Sequence, residues 1–416
     1  MKSVSECANY CLNCKLKPCS IKGCPMQTKI PEFIMEVKNE NYKKAYELLQ
    51  ENNIFSYICS LICPQEEQCE GSCIRGIKSE PTSIGILEKF VNEWAIENKI
   101  KYEINKKQSN GKKVAVIGSG PAGLECSIEL LKNGFEVDIY EKDEIPGGIL
   151  IYGIPDFRLP KDIVRNVINQ IENLGGKFFT NRALGVDFNL DEISKKYDAV
   201  FLGLGATKSS NYKLSEQNVS GIYDSDVFLR AYRENKYPKD LGNVVVIGGG
   251  NVAMDSARVA IRMGAKNVKI LYRRDRKHMP AREVELEEAI QEGVEFKELV
   301  RVASGNIENG KIVSVNCIKT EIIEGKAVDK NPLEESIEEA NTIVFAIGLK
   351  PDRKLIEENG IELDDWGYIK IDENGKTNLE NVYAGGDNTE SKSTVCRALS
   401  AGKKSAYGII KRYLEQ

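Results

Sequence analysis

The stretch Val114–Leu124 reads VAVIGSGPAGL: an apolar, β-branched run, then Gly118, Gly120 and Gly123 at G-x-G-x-x-G spacing. An apolar run ahead of clustered glycines predicts a buried parallel strand, and the residues from Pro121 and Ala122 onward carry helical periodicity. Each glycine has its own reason. Gly118 permits the tight turn, Gly120 lets a pyrophosphate approach the backbone, and Gly123 allows close packing of helix on strand. The phosphates would lie at the positive end of the helix that begins near Pro121. The next strand, VDIYEK, ends in Glu141, 23 residues after Gly118. A carboxylate there can bind a ribose 2′-hydroxyl and would repel a 2′-phosphate.

The same plan returns at Val244–Asp255, VVVIGGGNVAMD. Gly248 and Gly250 match the fingerprint, Ala253 stands at the third position, and Asn251 and Val252 open the helix. The following strand, VKILYRRDR, ends in Arg273 and Arg274 where the first unit has an acid. Paired guanidiniums suit a phosphomonoester on the ribose. The first unit therefore reads as a site for FAD or NAD and the second as a site for NADP. A solvated arginine face is the competing reading of the second.

Around these units the chain is ordinary soluble α/β material. Its 416 residues are 41% hydrophobic and 29% charged, with a net charge of −4. No basic face for nucleic acid is expected, and no apolar run approaches the ~20 residues of a membrane span. The opening MKSVSECANYC lacks the apolar core of a secretory signal, so a cytoplasmic location is expected. His278 is the single histidine, which excludes multi-histidine metal sites.

Twelve cysteines remain to be explained, nine of them before residue 74. They occur in CANYCLNCKLKPCSIKGCP and CSLICPQEEQCEGSC, beside helical patterns at Lys38–Gln50 and Ile84–Asn98. A polar, glycine-containing linker, Lys106–Lys113, then leads into the first strand. Disulfides would be unusual in a reducing compartment, and close thiolates repel unless metal ions balance their charge. Two cubane clusters require eight ligands, and Cys24-Pro25 has the form of a ferredoxin cysteine that serves the other cluster. Structural zinc is the alternative. No C-x-x-C follows residue 73, and Cys126, Cys317 and Cys396 lie far apart in sequence, so a redox-active disulfide is not expected.

The head, both glycine loops, PGGILIYGIPDFRLP, YRRDRKHMPA and the AGGD of Ala384–Asp387 resemble a single family, in order and over nearly the whole chain. It comprises the small (β) subunit of NADPH-dependent glutamate synthase and the large subunit of electron-bifurcating NADH-dependent ferredoxin:NADP oxidoreductase; the N-terminal portion of dihydropyrimidine dehydrogenase is similar. The resemblance implies an α-helical iron–sulfur domain over 1–108, a Rossmann-like FAD domain over 109–238 and 347–416, and an inserted NAD(P)H domain over 239–346. It implies that Gly147, Gly148, Arg158, Gly386, Asp387 and Thr394 line the flavin site. It assigns Cys11, Cys14, Cys19 and Cys73 to one [4Fe–4S] cluster, and Cys24, Cys63, Cys69 and Glu88 to a second. Cys59, four residues before Cys63, rivals Glu88 as the eighth ligand. One departure is visible: Ser20–Gly23 puts four residues between the third and fourth cysteines where relatives have three.

The expected activity is passage of electrons from NADPH through FAD to the clusters and a partner. The partner is either a glutamate synthase large subunit, forming L-glutamate from glutamine and 2-oxoglutarate, or a ferredoxin reductase-like subunit, with ferredoxin as an acceptor. Met1-Lys2 stands where an amidotransferase of the first type has its nucleophilic cysteine, so amide transfer is expected of the partner. A non-catalytic reading, a zinc-bound docking module on a degenerate flavoprotein, predicts zinc without acid-labile sulfide.

Overall fold

Each glycine loop leaves the middle strand of a five-stranded parallel sheet. The computed structural model describes residues 3–209, 214, 219–391 and 394–414. The first sheet runs Val382–Ala384, Ala199–Leu202, Lys113–Ile117, Glu136–Tyr140, Lys177–Phe179. The second runs Ile222–Asp224, Thr342–Phe345, Asn243–Ile247, Asn267–Tyr272, Glu295–Glu298. All neighbouring pairs in both sheets are parallel. Burial on both faces explains the continuous apolar runs: Val114, Ala115 and Val116 are all fully buried. In both sheets the loop-bearing strand lies where strand order reverses, which is where open α/β sheets bind ligands.

Two compact units result. One holds Met1–Ile151, Asp156–Ala206 and Pro351–Gln416; the other holds Tyr152–Pro155 and Thr207–Lys350. The second unit is larger than the expected 239–346, because Ile222–Asp224 pairs with Thr342–Phe345 and carries helix Ser225–Arg233 with it. It also holds an antiparallel sheet of Val300–Glu308, Lys311–Ile323, Lys326–Asp329 and Glu335–Glu339, which the sequence reading did not anticipate.

The cysteine-rich head belongs to the first unit. Its helices are Val4–Tyr10, Ile30–Lys38, Tyr42–Asn52, Ser56–Ile62 and Ile84–Glu97. The single pattern read at Lys38–Gln50 is thus the end of one helix and the body of another, separated where Glu40 takes a φ of +60°. Phe33, Leu49, Leu87 and Val91 are fully buried at the centre of this bundle. Among the described residues, no helix is long and apolar enough to cross a membrane.

One helix crossing organises the side of this unit that carries strand Lys113–Ile117. The C-terminal helix, Val395–Leu414, packs along Pro121–Lys132, and a Cβ placed on Gly402 would stand 2.1 Å from the Ala122 carbonyl oxygen. Glycine at 402 is what lets the two helices approach.

Candidate cofactor sites and thiol clusters

The first loop has the geometry its spacing requires. Gly118 has φ +96° and a Cβ there would lie 2.3 Å from the Gly203 carbonyl oxygen; one on Gly123 would lie 1.9 Å from that of Gly118. A Cβ on Gly120 would meet nothing within 4 Å. Two of the glycines are therefore demanded by protein packing, and the third faces open space at the N-terminus of helix Pro121–Lys132. That open cradle fits a pyrophosphate.

Glu141 is brought to the same loop. It is buried and accepts hydrogen bonds from the Ser119 and Asp143 N–H groups, each at 2.9 Å, and from the Ser119 hydroxyl. Ser119 Oγ in turn accepts from the Gly147 N–H at 2.9 Å. Gly148 stands behind Gly120, 2.9 Å from a built Cβ to the Gly120 Cα. Gly386 (φ +91°) faces the Ala122 methyl, so the AGGD turn also reaches the head of this helix. Next to it, Asn388 is fully buried, donates to the Leu202 carbonyl at 2.9 Å and leaves its Oδ1 without a partner, an acceptor facing the same region. Asp387 and Arg158 are half-buried within this unit. Thr394 begins the C-terminal helix; its hydroxyl accepts from the Arg397 N–H and from the Gln68 amide of the head, each at 3.3 Å.

The second loop repeats the division of labour. A Cβ on Gly248 would lie 2.3 Å from the Ala346 carbonyl oxygen, whereas one on Gly250 would meet only Pro280 at 3.9 Å. Ala253 is fully buried, Val252 is exposed, and Asn251 Oδ1 accepts from the Arg282 N–H at 2.9 Å. Arg273 is exposed and Arg274 half-buried, with the Arg274 Nε buried and lacking a partner. Neither guanidinium is paired with a carboxylate among the described residues. Unneutralised, adjacent arginines at the end of the second strand fit a 2′-phosphate.

In the head, the cysteines form two groups. Cys11, Cys14, Cys19 and Cys73 line one cavity together with Pro18 and Ile34. Burial pushes the Cys19 thiol up to about 11, and the neighbouring Cys11 and Cys73 sulfurs push it the same way. Four sulfurs lining one cavity are the donor set a cationic cluster requires.

The second group contains Cys24, Cys63, Cys69 and Glu88. Glu88 is 8% exposed on helix Ile84–Glu97. Burial, and then the Cys59 and Cys24 sulfurs, hold its carboxyl well above the usual range. Burial and the facing Glu88 likewise raise the Cys69 thiol. A buried carboxyl beside thiols carries a desolvation cost that a bound cation would offset. Bound ferric iron would supply the missing positive charge. The four-residue spacing before Cys24 is absorbed by a single π-helical turn, Cys19–Gly23, the form an inserted residue takes in a helix. Gly23 ends that turn, and a Cβ there would stand 2.6 Å from the Gln68 carbonyl oxygen.

Sequence spacing missed one member of this neighbourhood. Cys396, on the first turn of the C-terminal helix, places its sulfur with those of Cys59 and Cys63, all three buried and all within 4.8 Å of one another. It is 323 residues beyond the last head cysteine, Cys73, and no local pattern marks it. Cys126 and Cys317 are fully buried, and every cysteine is free.

Comparison with known proteins agrees with this geometry. The pyridine nucleotide-disulphide oxidoreductase family model matches residues 112–403, and the model of dihydropyrimidine dehydrogenase domain II, 4Fe-4S cluster, matches residues 1–100. The glutamate synthase [NADPH] small chain of Escherichia coli (strain K12) is 33% identical over 97% of this chain and 90% of its own length. That of Azospirillum brasilense is 32% identical over 97% and 88%. Among solved structures, FprA of Mycobacterium tuberculosis in complex with NADPH superposes with a TM-score of 0.61 at 20% identity, covering 72% of this chain and 84% of that one. Thioredoxin reductase of T. acidophilum does so with a TM-score of 0.56 at 20% identity, covering 72% and 99%. These two likenesses concern the fold of the dinucleotide sheets. Together the fingerprints, the thiol groups and the near-full-length identity lead to one assignment: the chain belongs to the pyridine nucleotide-disulphide oxidoreductase family, in the branch of the glutamate synthase small chains, where a 4Fe-4S domain precedes the dinucleotide-binding sheets.

Proposed function

We propose that this chain is the NADPH-oxidising subunit of a larger enzyme, carrying electrons from NADPH through FAD to [4Fe–4S] clusters in its head and on to a partner subunit. When bound, FAD accepts a hydride and the clusters take electrons singly, so a two-electron donor can serve one-electron acceptors. The chain's residues supply binding and placement. The Gly118 loop and Glu141 hold the flavin dinucleotide, and the Gly248 loop with Arg273 and Arg274 holds NADPH. Cys11, Cys14, Cys19 and Cys73 hold one cluster; Cys24, Cys63, Cys69 and Glu88 hold the other.

The observation that carries this reading is that the head docks on the end of the flavin sheet's own C-terminal helix. Gln68, next to Cys69, bonds Thr394 at 3.3 Å, and Lys403 Nζ of that helix bonds the Asn52 carbonyl at 2.8 Å. The head thiols and the Gly118 loop therefore belong to one compact unit. A docking module with no redox task would not need the cysteines against that helix.

The partner is expected at the first cluster. Leu12, Leu16 and Ile77 are 50%, 81% and 76% exposed around the half-exposed Cys11, Cys14 and Cys73. Segments 11–22 and 73–78 contribute Lys15, Lys17, Lys22, Arg75 and Lys78 and no acid, in a chain of net charge −4. An acidic face with an apolar centre complements this surface. Since the two relatives named above are glutamate synthase small chains, we assign the partner as a large subunit that forms L-glutamate from glutamine and 2-oxoglutarate in the cytoplasm.

The test is anaerobic purification with and without the partner. Iron and acid-labile sulfide near eight each per chain, bound FAD, and NADPH-dependent appearance of reduced-cluster resonances are expected. NADPH-dependent glutamate formation should require the partner. Zinc without sulfide would reject the reading. Coupled reduction of NAD and ferredoxin by NADPH, without glutamate formation, would replace the partner with a ferredoxin reductase-like subunit.

A further inference from the structure

Once the cluster ligands are assigned, Cys59 and Cys396 are left over in the head's second group, and both sulfurs lie against the assigned ligand Cys63. Cys59 and Cys63 stand one turn apart on and just after helix Ser56–Ile62, and Cys396 comes from the opposite side, on the helix that lines the flavin region. The three are 4%, 7% and 2% exposed. Their sulfurs lie within 4.8 Å of one another. Thiolates on one tetrahedral ion with bonds of about 2.3 Å would stand about 3.8 Å apart, whereas those on different corners of a cubane are spread by the cluster between them. The trio is thus too tight for three ligands of one cubane. With Cys24, Cys69 and Glu88 beside Cys63, the cubane already has four donors. The Cys59 sulfur is engaged from behind by the Asn53 amide, at 3.4 Å. Cys396 has no such partner from its own helix; its thiol lies against the sulfurs of Cys24, Cys59 and Cys63, of which Cys24 and Cys63 are assigned ligands.

We propose that Cys396 is a positioning residue of the second cluster: its thiol donates an S–H hydrogen bond to the Cys63 sulfur when that sulfur binds iron, and raises the potential of that cluster. The physical basis is that a donor to a ligating sulfur withdraws negative charge and favours the reduced, more negative cluster. The residue comes from the C-terminal helix Val395–Leu414, so that helix contributes directly to the surroundings of the second cluster. This inference rests on the assignment of Cys63 to a [4Fe–4S] cluster.

The test uses the full-length chain, purified anaerobically as wild type, Cys396→Ala and Cys396→Ser. Iron, sulfide and FAD are counted, and each cluster is titrated potentiometrically with electron paramagnetic resonance detection. The expected result is unchanged iron, sulfide and flavin in all three. In Cys396→Ala one cluster shifts to lower potential and the other stays; in Cys396→Ser, which keeps a donor, that cluster stays at or above the wild-type potential. Loss of half the iron in Cys396→Ala would make Cys396 a ligand and overturn the proposal. So would identical potentials in all three proteins. Zinc without sulfide in the wild type would remove the cluster assignment itself, an outcome distinct from clusters that are present and unmoved.

Discussion

Arg273 and Arg274 are adjacent in sequence, but the structure makes them unequal. Arg273 is exposed, so its contact with a 2′-phosphate would be weakened by water and salt; exposed pairs contribute up to about 1 kcal/mol. Arg274 is half-buried with an unpartnered Nε, and a charge-assisted bond to such a group is worth about 1.5–3 kcal/mol. At about 1.4 kcal/mol per tenfold, Arg273→Ala should weaken NADP binding up to about fivefold and Arg274→Ala about 10- to 150-fold. The double variant should lose less than the product, since both groups share one phosphate. Calorimetric titration with NADP⁺ and NAD⁺ avoids turnover and reads both. NAD⁺ affinity should change less than twofold in every variant. Equal losses for the two nucleotides would refute the 2′-phosphate assignment, and a larger loss at Arg273 would refute the ranking by burial.

Three further outcomes are expected. Glu88→Ala should perturb or remove one cluster's resonance and leave FAD content intact; if Cys59→Ala does this and Glu88→Ala does not, the ligand set is wrong. Gly402→Val places side-chain atoms where a Cβ is already 2.1 Å from the Ala122 oxygen, so flavin content and melting temperature should both fall; an unchanged melting temperature would mean the helix crossing is not tight. Glu125 is 1% exposed, with Lys403 Nζ 3.9 Å away and Glu129 and Lys132 nearby; burial raises its carboxyl to about 8. Between the unfolded value of about 4.3 and 8 the native state holds a proton that the unfolded chain releases, so stability falls as pH rises through that window, by up to ~5 kcal/mol. Glu125→Gln should therefore gain in melting temperature over wild type progressively from pH 5 to pH 8; a gain that does not vary with pH would show the carboxyl ionised in the native state.

Both sheets were legible from the sequence because strand, turn and helix signals there are local. Gly118, Gly120 and Gly123 each had a distinct steric task; the built Cβ distances show close backbone packing at Gly118 and Gly123 and open space at Gly120. The division of the chain was less legible. Strand Ile222–Asp224 is three residues of mixed character, and only its pairing with Thr342–Phe345 places it in the second sheet. The antiparallel sheet was hidden for a similar reason: Lys311–Ile323 alternates imperfectly, with a register shift against its partner strand. Among the thiols, spacing within the head was informative because Cys11, Cys14, Cys19 and Cys73, which line one cavity, sit along short loops. Cys396 carried no such signal, since the helix that delivers it is brought back by the fold rather than by neighbouring residues.

The central sheet of the first unit draws its last edge, Val382–Ala384, from near the far end of the chain, after the whole inserted unit has been made. Because chains emerge from the ribosome amino terminus first, the inserted NADP-type sheet has all its strands by residue 345, while its host still lacks one. Assembly therefore has a built-in schedule. Inorganic sulfide and iron can reach the head cysteines of a nascent chain before the flavin pocket can close. The last helix, arriving with Gly402 and Cys396, completes both at once, so a ribosome stalled shortly before it should yield chains that carry metal and no yellow cofactor.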